Sequence, residues 1–129
     1  MALATAHTVA LQGALGHLID VQADVSPGTP GTTLVGRPDA TLHEARDRCR
    51  MAVSNSGVLW PATRRVTILL APSDLVKRGT HFDLAIALAV LAACGDITQR
   101  SLSDTLVIGE LTLTGGLPTG VLARRDCAP

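Results

Sequence analysis

The stretch D-L-A-I-A-L-A-V-L-A-A-C, Asp83 to Cys94, opens on a carboxylate and then carries no polar side chain until the thiol at its end. It reads as a helix, with Gly95 as its stop. A helix that is apolar all round has no face to give to water, so it must be packed on nearly every side. It is expected to be the most buried element, lying between a sheet and the other main helix. The uncharged run Leu84 to Gly95 is too short to cross a bilayer, which takes about 20 apolar residues.

Outward from this helix the chain reads as strands. Val66 to Leu70 (V-T-I-L-L) is a continuous apolar run, as in a central strand covered on both sides, and Ala71-Pro72-Ser73-Asp74 closes it. From His17 to Val25, Ile19, Val21, Ala23 and Val25 alternate with Asp20, Gln22 and Asp24, the pattern of a strand with one wet face. Thr5 to Gln12 is a first strand ended by a Gly13-Ala14-Leu15-Gly16 turn, and Thr32 to Val35 is a short strand after the turn-rich Ser26 to Gly31. A helix starts at Asp39, buries Leu42, Ala45, Cys49, Ala52 and Val53, and stops at Gly57. Its other face carries Glu44, Arg46, Asp47, Arg48 and Arg50, with Glu44 and Arg48 one turn apart. Thr105 to Leu113 is a final strand, broken by Gly115-Gly116-Leu117-Pro118. The order β-β-β-α-β-α-β gives an α/β fold, a mixed sheet packed with two main helices.

The 129 residues suit one domain. With the 12 glycines counted, the apolar share is about 56%, against ~45–50% in average soluble domains, while charged residues are only 17%. That balance argues against disorder and predicts apolar surface hidden against something else. Eleven basic and eleven acidic residues cancel, so net charge calls for neither nucleic acid nor an acidic partner. With no Tyr, one Phe and one Trp, platforms for stacking bases are lacking. Cys49, Cys94 and Cys127, an odd count without paired spacing, read as reduced thiols of a cytoplasmic protein, with Cys49 and Cys94 buried in helices. Residues 1–19 lack the basic start of a signal peptide, so neither a targeting nor a membrane segment is expected.

Residue types and spacing yield no active site. The single lysine, Lys77, follows no Gly-rich loop, so there is no P-loop to cradle a nucleotide. His7, His17, His43 and His81 are scattered, and no metal-ligand spacing occurs. None of the serines sits in a G-x-S-x-G elbow. Arg46, Arg48 and Arg50 with Arg37, Arg64 and Arg65 are the material of a basic patch, but the interleaved Glu44 and Asp47 favour a solvated helix face.

The segment L-V-G-R-P-D-A-T-L-H-E-A-R-D-R-C-R-M-A-V-S-N-S-G, Leu34 to Gly57, resembles the amino-terminal domain of the YifB/ComM family of magnesium-chelatase-like AAA+ ATPases. Val66 to Gly79, Phe82 to Gly95, Gly109 to Gly115 and Gly120 to Leu122 carry the resemblance onward in the same order. It implies a domain over residues 1–123, followed by a non-family tail, 124–129, expected to be disordered. The implied fold is that of the second domain of ribosomal protein S-five and of the Lon and RadA carboxy-terminal domains. Lon-type domains use a Ser-Lys dyad. The resemblance puts Asp83 or a near neighbour at the nucleophile's place, and no Lys follows Lys77, so the peptidase reading fails on both residues.

Complete members of the family continue into an AAA+ motor with Walker motifs that assembles into rings and acts on DNA. The resemblance therefore implies a non-catalytic accessory domain, acting in subunit organisation or in DNA handling of the competence or branch-migration type. The alternative is part of an ATP-dependent enzyme, chelatase-like or Lon-like, with no complete active site in this chain. No catalytic, cofactor or metal residues are assigned, and ATP and Mg are expected only with the motor. The expected partners are the motor domain, neighbouring subunits and, through the full-length protein, DNA. Arg37, Arg46, Arg50, Lys77 and Arg78 are the candidate contacts. A homo-oligomer is expected, with the last strand and the tail after Gly115 as the contact region.

Overall fold

A computed structural model describes residues 2–12, 15–114 and 120–124. Strands β1 (Ala2–Gln12), β2 (Leu15–Ser26), β3 (Gly31–Val35), β4 (Arg65–Ala71), β5 (Thr105–Gly109) and β6 (Gly120–Arg124) form one mixed sheet in the order β3-β4-β2-β1-β5-β6. β3 runs parallel to β4 and β1 parallel to β5; the other neighbours are antiparallel. The helices are α1 (Ala40–His43), α2 (Ala45–Asn55), α3 (Asp83–Ala93) and α4 (Gln99–Ser103). The chain is thus α/β with two main helices, α2 and α3, as the sequence implies.

Alternation fixes which sheet face is dry. Ala4, Ala6, Thr8 and Ala10 of β1 share a face with Ile19, Val21, Ala23 and Val25 of β2 and with Val66, Ile68 and Leu70 of β4, and all are buried. The opposite face, with His7, Asp20, Gln22, Thr67 and Leu69, is only half-buried. β4 is therefore covered on one side, not two. Its unbroken apolar run reflects a half-wet position at Leu69 rather than a second layer.

Helix α3 lies against β1, β2 and β5 and packs against α2. Asp83, Ala85, Ile86, Ala87, Ala89, Val90 and Ala93 are buried, whereas Leu84, Leu88 and Leu91 are half-buried on the outer stripe. Both main helices end in the same device. After α2, the Gly57 and Val58 N–H groups donate back to the Ser54 and Val53 carbonyls; after α3, those of Gly95 and Asp96 donate to Ala92 and Leu91. The glycines take φ of +83° and +84°, which lets the chain turn and satisfy the last carbonyls. Cys94 is the cap of α3 and is exposed, correcting its expected burial, because the chain has already turned outward there. Cys49 is buried as expected, and Cys127 lies outside the described residues.

Other boundaries shifted for local reasons. The helix from Asp39 divides at Glu44: the Asp39 carboxylate accepts from the Leu42 N–H at 2.8 Å to cap α1, and α2 starts anew. Leu15 and Gly16 belong to β2, paired with Gln12 and Leu11. β5 stops at Gly109, short of Leu113. Parallel pairing of β1 with β5 is confined to His7 and Leu106, and side chains continue the ladder on either side. The Gln99 amide takes the Thr5 N–H (2.6 Å) and carbonyl (2.9 Å), and His81 Nε2 lies 2.7 Å from the Val9 carbonyl. The expected break at 115–118 and residues 125–129 of the expected tail 124–129 lie outside the described residues, whereas Arg124 ends β6.

Candidate functional site

At the start of α3 the Asp83 carboxylate is fully buried, and Arg48 of α2 reaches it with two N–H donors, Nε at 2.7 Å and Nη2 at 3.0 Å. The Leu111 N–H donates to the same carboxylate at 3.2 Å, which draws the chain off the sheet after β5. The Cys49 thiol donates to the Asp83 carbonyl at 3.1 Å. Asp83 also sits in the first turn of its helix, where the dipole favours a negative charge. Donating hydrogen bonds to Asp83 holds the Arg48 guanidinium above its usual pKa against the opposing effect of burial. Burial, reinforced by the Asp83 charge, pushes the Cys49 thiol far up, so it is no nucleophile. Arg48 is thus not part of a solvated face. Its role leaves a trace in the sequence: a lone carboxylate heading an all-apolar helix needs a cationic partner.

Lys77 is likewise buried, which removes it from the candidate contacts. Its ammonium donates to the Gly36 carbonyl at 2.7 Å and to the Pro72 carbonyl. Burial lowers its pKa, against the pull of Asp74. The lysine ties the end of β3 to the loop after β4, where Pro38 and Lys77 form an isolated bridge. Gly36 takes φ +108°, and a Cβ there would run into the Leu70 carbonyl, so glycine is required at this crossing.

The remaining candidates separate into two places. Arg37 and Arg78 are exposed beside a hollow of about 460 Å³ shared with Ala10, Leu11, Asp74 and Val76. Arg37 takes φ +59°, and its guanidinium donates to the Asp74 carbonyl at 3.0 Å. On the other side of the fold's sequence, Arg46 and Arg50 of α2 meet Arg64 and Trp60 around a groove of about 390 Å³. Arg46 donates to the Thr32 carbonyl at 3.4 Å, and Arg50 lies 3.8 Å from Asp47. Arg64, part of the basic-patch material but not one of the five candidate contacts, joins them because the fold, not sequence spacing, brings it to α2. Alongside runs an apolar hollow of about 450 Å³ that includes Met51, Val58 and Leu59, and Leu59 is 88% exposed.

Among the described residues no three His, Cys, Asp or Glu side chains gather to hold a metal. His7 instead pairs with Asp20 across β1 and β2 at 2.7 Å. No helix among the described residues is long and apolar enough to cross a membrane.

Comparison with known proteins adds one family match and three relatives. The family model described as subunit ChlI of Mg-chelatase matches residues 21–123. The protein YifB of Escherichia coli is 47% identical over 117 residues, 91% of this chain and 23% of that protein. The competence protein ComM of Haemophilus influenzae is 42% identical over 117 residues, again 91% of this chain and 23% of that protein. A mycobacterial relative, from Mycobacterium tuberculosis, is 43% identical over 136 aligned residues, which take in 100% of this chain and 27% of the relative. The chain therefore spans about a quarter of the length of the curated relatives it matches.

Proposed function

The chain belongs to the family of subunit ChlI of Mg-chelatase, and from that premise we propose that it is a non-catalytic accessory domain of a magnesium-chelatase-like AAA+ ATPase. In this reading it docks on the motor domain or on a neighbouring subunit and organises the assembly for work on DNA in the cytoplasm. The observation that carries the reading is the fate of the two groups on which an enzyme would depend. Asp83 stands where a Lon-like nucleophile is expected, and its carboxylate is spent on Arg48 and Leu111. Lys77, the only lysine, has its ammonium on two backbone carbonyls and cannot reach a phosphate or activate a hydroxyl. Neither residue is placed to hold ATP–Mg, which in this reading belongs with the motor.

Exposed apolar side chains support docking. Met51 on α2 lies between Leu59 on one side and Leu113 on the other, all three open to water. Burying such a patch against another domain or subunit returns roughly 25 cal/mol for each Å² covered. Two measurements test the reading. The purified chain should hydrolyse neither ATP nor peptide, and turnover abolished by changing Lys77 would refute the non-catalytic assignment. In the full-length protein, Leu59→Ser should weaken subunit association in sedimentation experiments; unchanged association would refute docking through this face.

A further inference from the structure

We propose that the groove between α2 and the loop leading into β4 is a phosphate-binding site, made by Arg46, Arg50 and Arg64 and reported by Trp60. Three arginines from two separate elements line one concave volume of about 390 Å³. The only carboxylate in the lining is Asp47, which is 3.8 Å from Arg50 in a pair whose members are both more than half exposed. Such a pair is weak and gives way to a better anion. The lining carries three positive charges against one negative, a surplus that matches a phosphate monoester or pyrophosphate better than a single carboxylate.

All three arginines keep donors to spare. Arg46 commits one N–H to the Thr32 carbonyl, which steadies its guanidinium and leaves the rest of the fork free. Arg64 makes no side-chain hydrogen bond or ion pair among the described residues. Its backbone, however, is pinned: the Arg64 N–H donates to the Pro61 carbonyl and its own carbonyl accepts from the Gly31 N–H. Its exposed side chain also borders a hollow shared with Pro61 and Cys94, so its guanidinium keeps its donors available, and the planar fork suits phosphate oxygens. Arg48 of the same helix shows the contrast, since its donors go to Asp83. The Arg37–Arg78 hollow is the weaker candidate, because Asp74 lines it and its carbonyl already occupies Arg37.

Trp60 is the only tryptophan of the chain and lines the same groove, so its fluorescence reads the site directly. The groove borders the Leu59 hollow and shares Arg50, Trp60 and Ala62 with it, but the two readings fail by different measurements, pyrophosphate binding for one and subunit association for the other. The experiment is a titration of the purified chain with pyrophosphate at low salt, followed by Trp60 emission, with Arg64→Gln, Arg46→Gln and Arg78→Gln as variants. A saturable change is expected in the parent and in Arg78→Gln. The apparent Kd should rise roughly three- to tenfold in Arg64→Gln and Arg46→Gln, and in the parent with added salt. Thermal unfolding of each variant establishes that the fold is retained. A second arm repeats the titration with a short oligonucleotide lacking terminal phosphates. A response there identifies a phosphodiester backbone as the source of the phosphate, and a response to pyrophosphate alone identifies a free or terminal phosphate. No saturable change up to about 10 mM pyrophosphate, or an unaltered Kd in Arg64→Gln, would overturn the proposal.

Discussion

Asp83→Asn keeps the size of the buried side chain and removes its charge, so it isolates what the Arg48–Asp83 pair contributes. The carboxylate accepts two charge-assisted bonds from Arg48, at 2.7 and 3.0 Å, and a third from the Leu111 N–H at 3.2 Å. An asparagine can accept through one oxygen only and turns an NH₂ towards a remaining donor, leaving that donor without a partner. A stranded donor costs about 1–3 kcal/mol, and removing one member of a buried pair about 3–5 kcal/mol. Arg48 is 17% exposed and keeps some water, so the lower end applies, about 3 kcal/mol. Arg48→Met strands the fully buried carboxylate instead and should cost more, about 4 kcal/mol. The double variant should cost clearly less than the sum, with a coupling of about 2 kcal/mol. Urea unfolding followed by far-ultraviolet circular dichroism and by Trp60 fluorescence measures all three. A loss below about 1 kcal/mol for Asp83→Asn, or additivity in the double variant, would show that the pair does not knit α2 to α3.

Gly36→Ala should be among the most damaging single changes, costing more than about 3 kcal/mol, because it adds a Cβ against the Leu70 carbonyl at a positive φ; retention of the parent melting temperature would contradict the crossing described. Ile86→Ala should cost about 2–5 kcal/mol and Leu88→Ala markedly less, since only Ile86 is fully buried; equal losses would misplace the outer stripe of α3. In a Cys127→Ser background, a thiol reagent should label Cys94 quickly and Cys49 only on unfolding, given their opposite exposure; two fast thiols would show that α2 opens. Lys77 has a folded pKa below its ordinary 10.5 through burial, so between the two values the folded chain binds fewer protons than the unfolded one. Stability relative to Lys77→Met should therefore improve as pH rises through that interval, and a fall there would mean that the ammonium is not desolvated.

The sequence made the sheet and its dry face legible because strand alternation is a local signal. Ile19 to Val25 already states which side chains point inward, and the register with Ala4 to Ala10 follows it. The glycines at 57 and 95 marked both helix ends for an equally local reason, the need for a positive φ. Helix α4 is five residues long and too short to show a period, and the break at Glu44 depends on the Asp39 cap rather than on the apolar spacing. The candidate contacts were legible only as cations. Of the five, Arg46 and Arg50 share the groove, Arg37 and Arg78 share a separate hollow, and Lys77 is buried.

By itself, then, the sequence determined the α/β class, the burial of the Asp83–Ala93 helix and the family, since each rests on neighbours in the chain. Only the tertiary structure decided what each charge does. Arg48 and Asp83 are 35 positions apart, and Lys77 finds its carbonyl acceptor 41 positions away. Arg46 and Arg50 acquire Arg64 and Trp60 across the turn that brings the end of α2 back towards the start of β4. Whether a charge is exposed, paired or buried is set by the dielectric and the donors that packing brings around it. No spacing within one element encodes that, because the partners come from others.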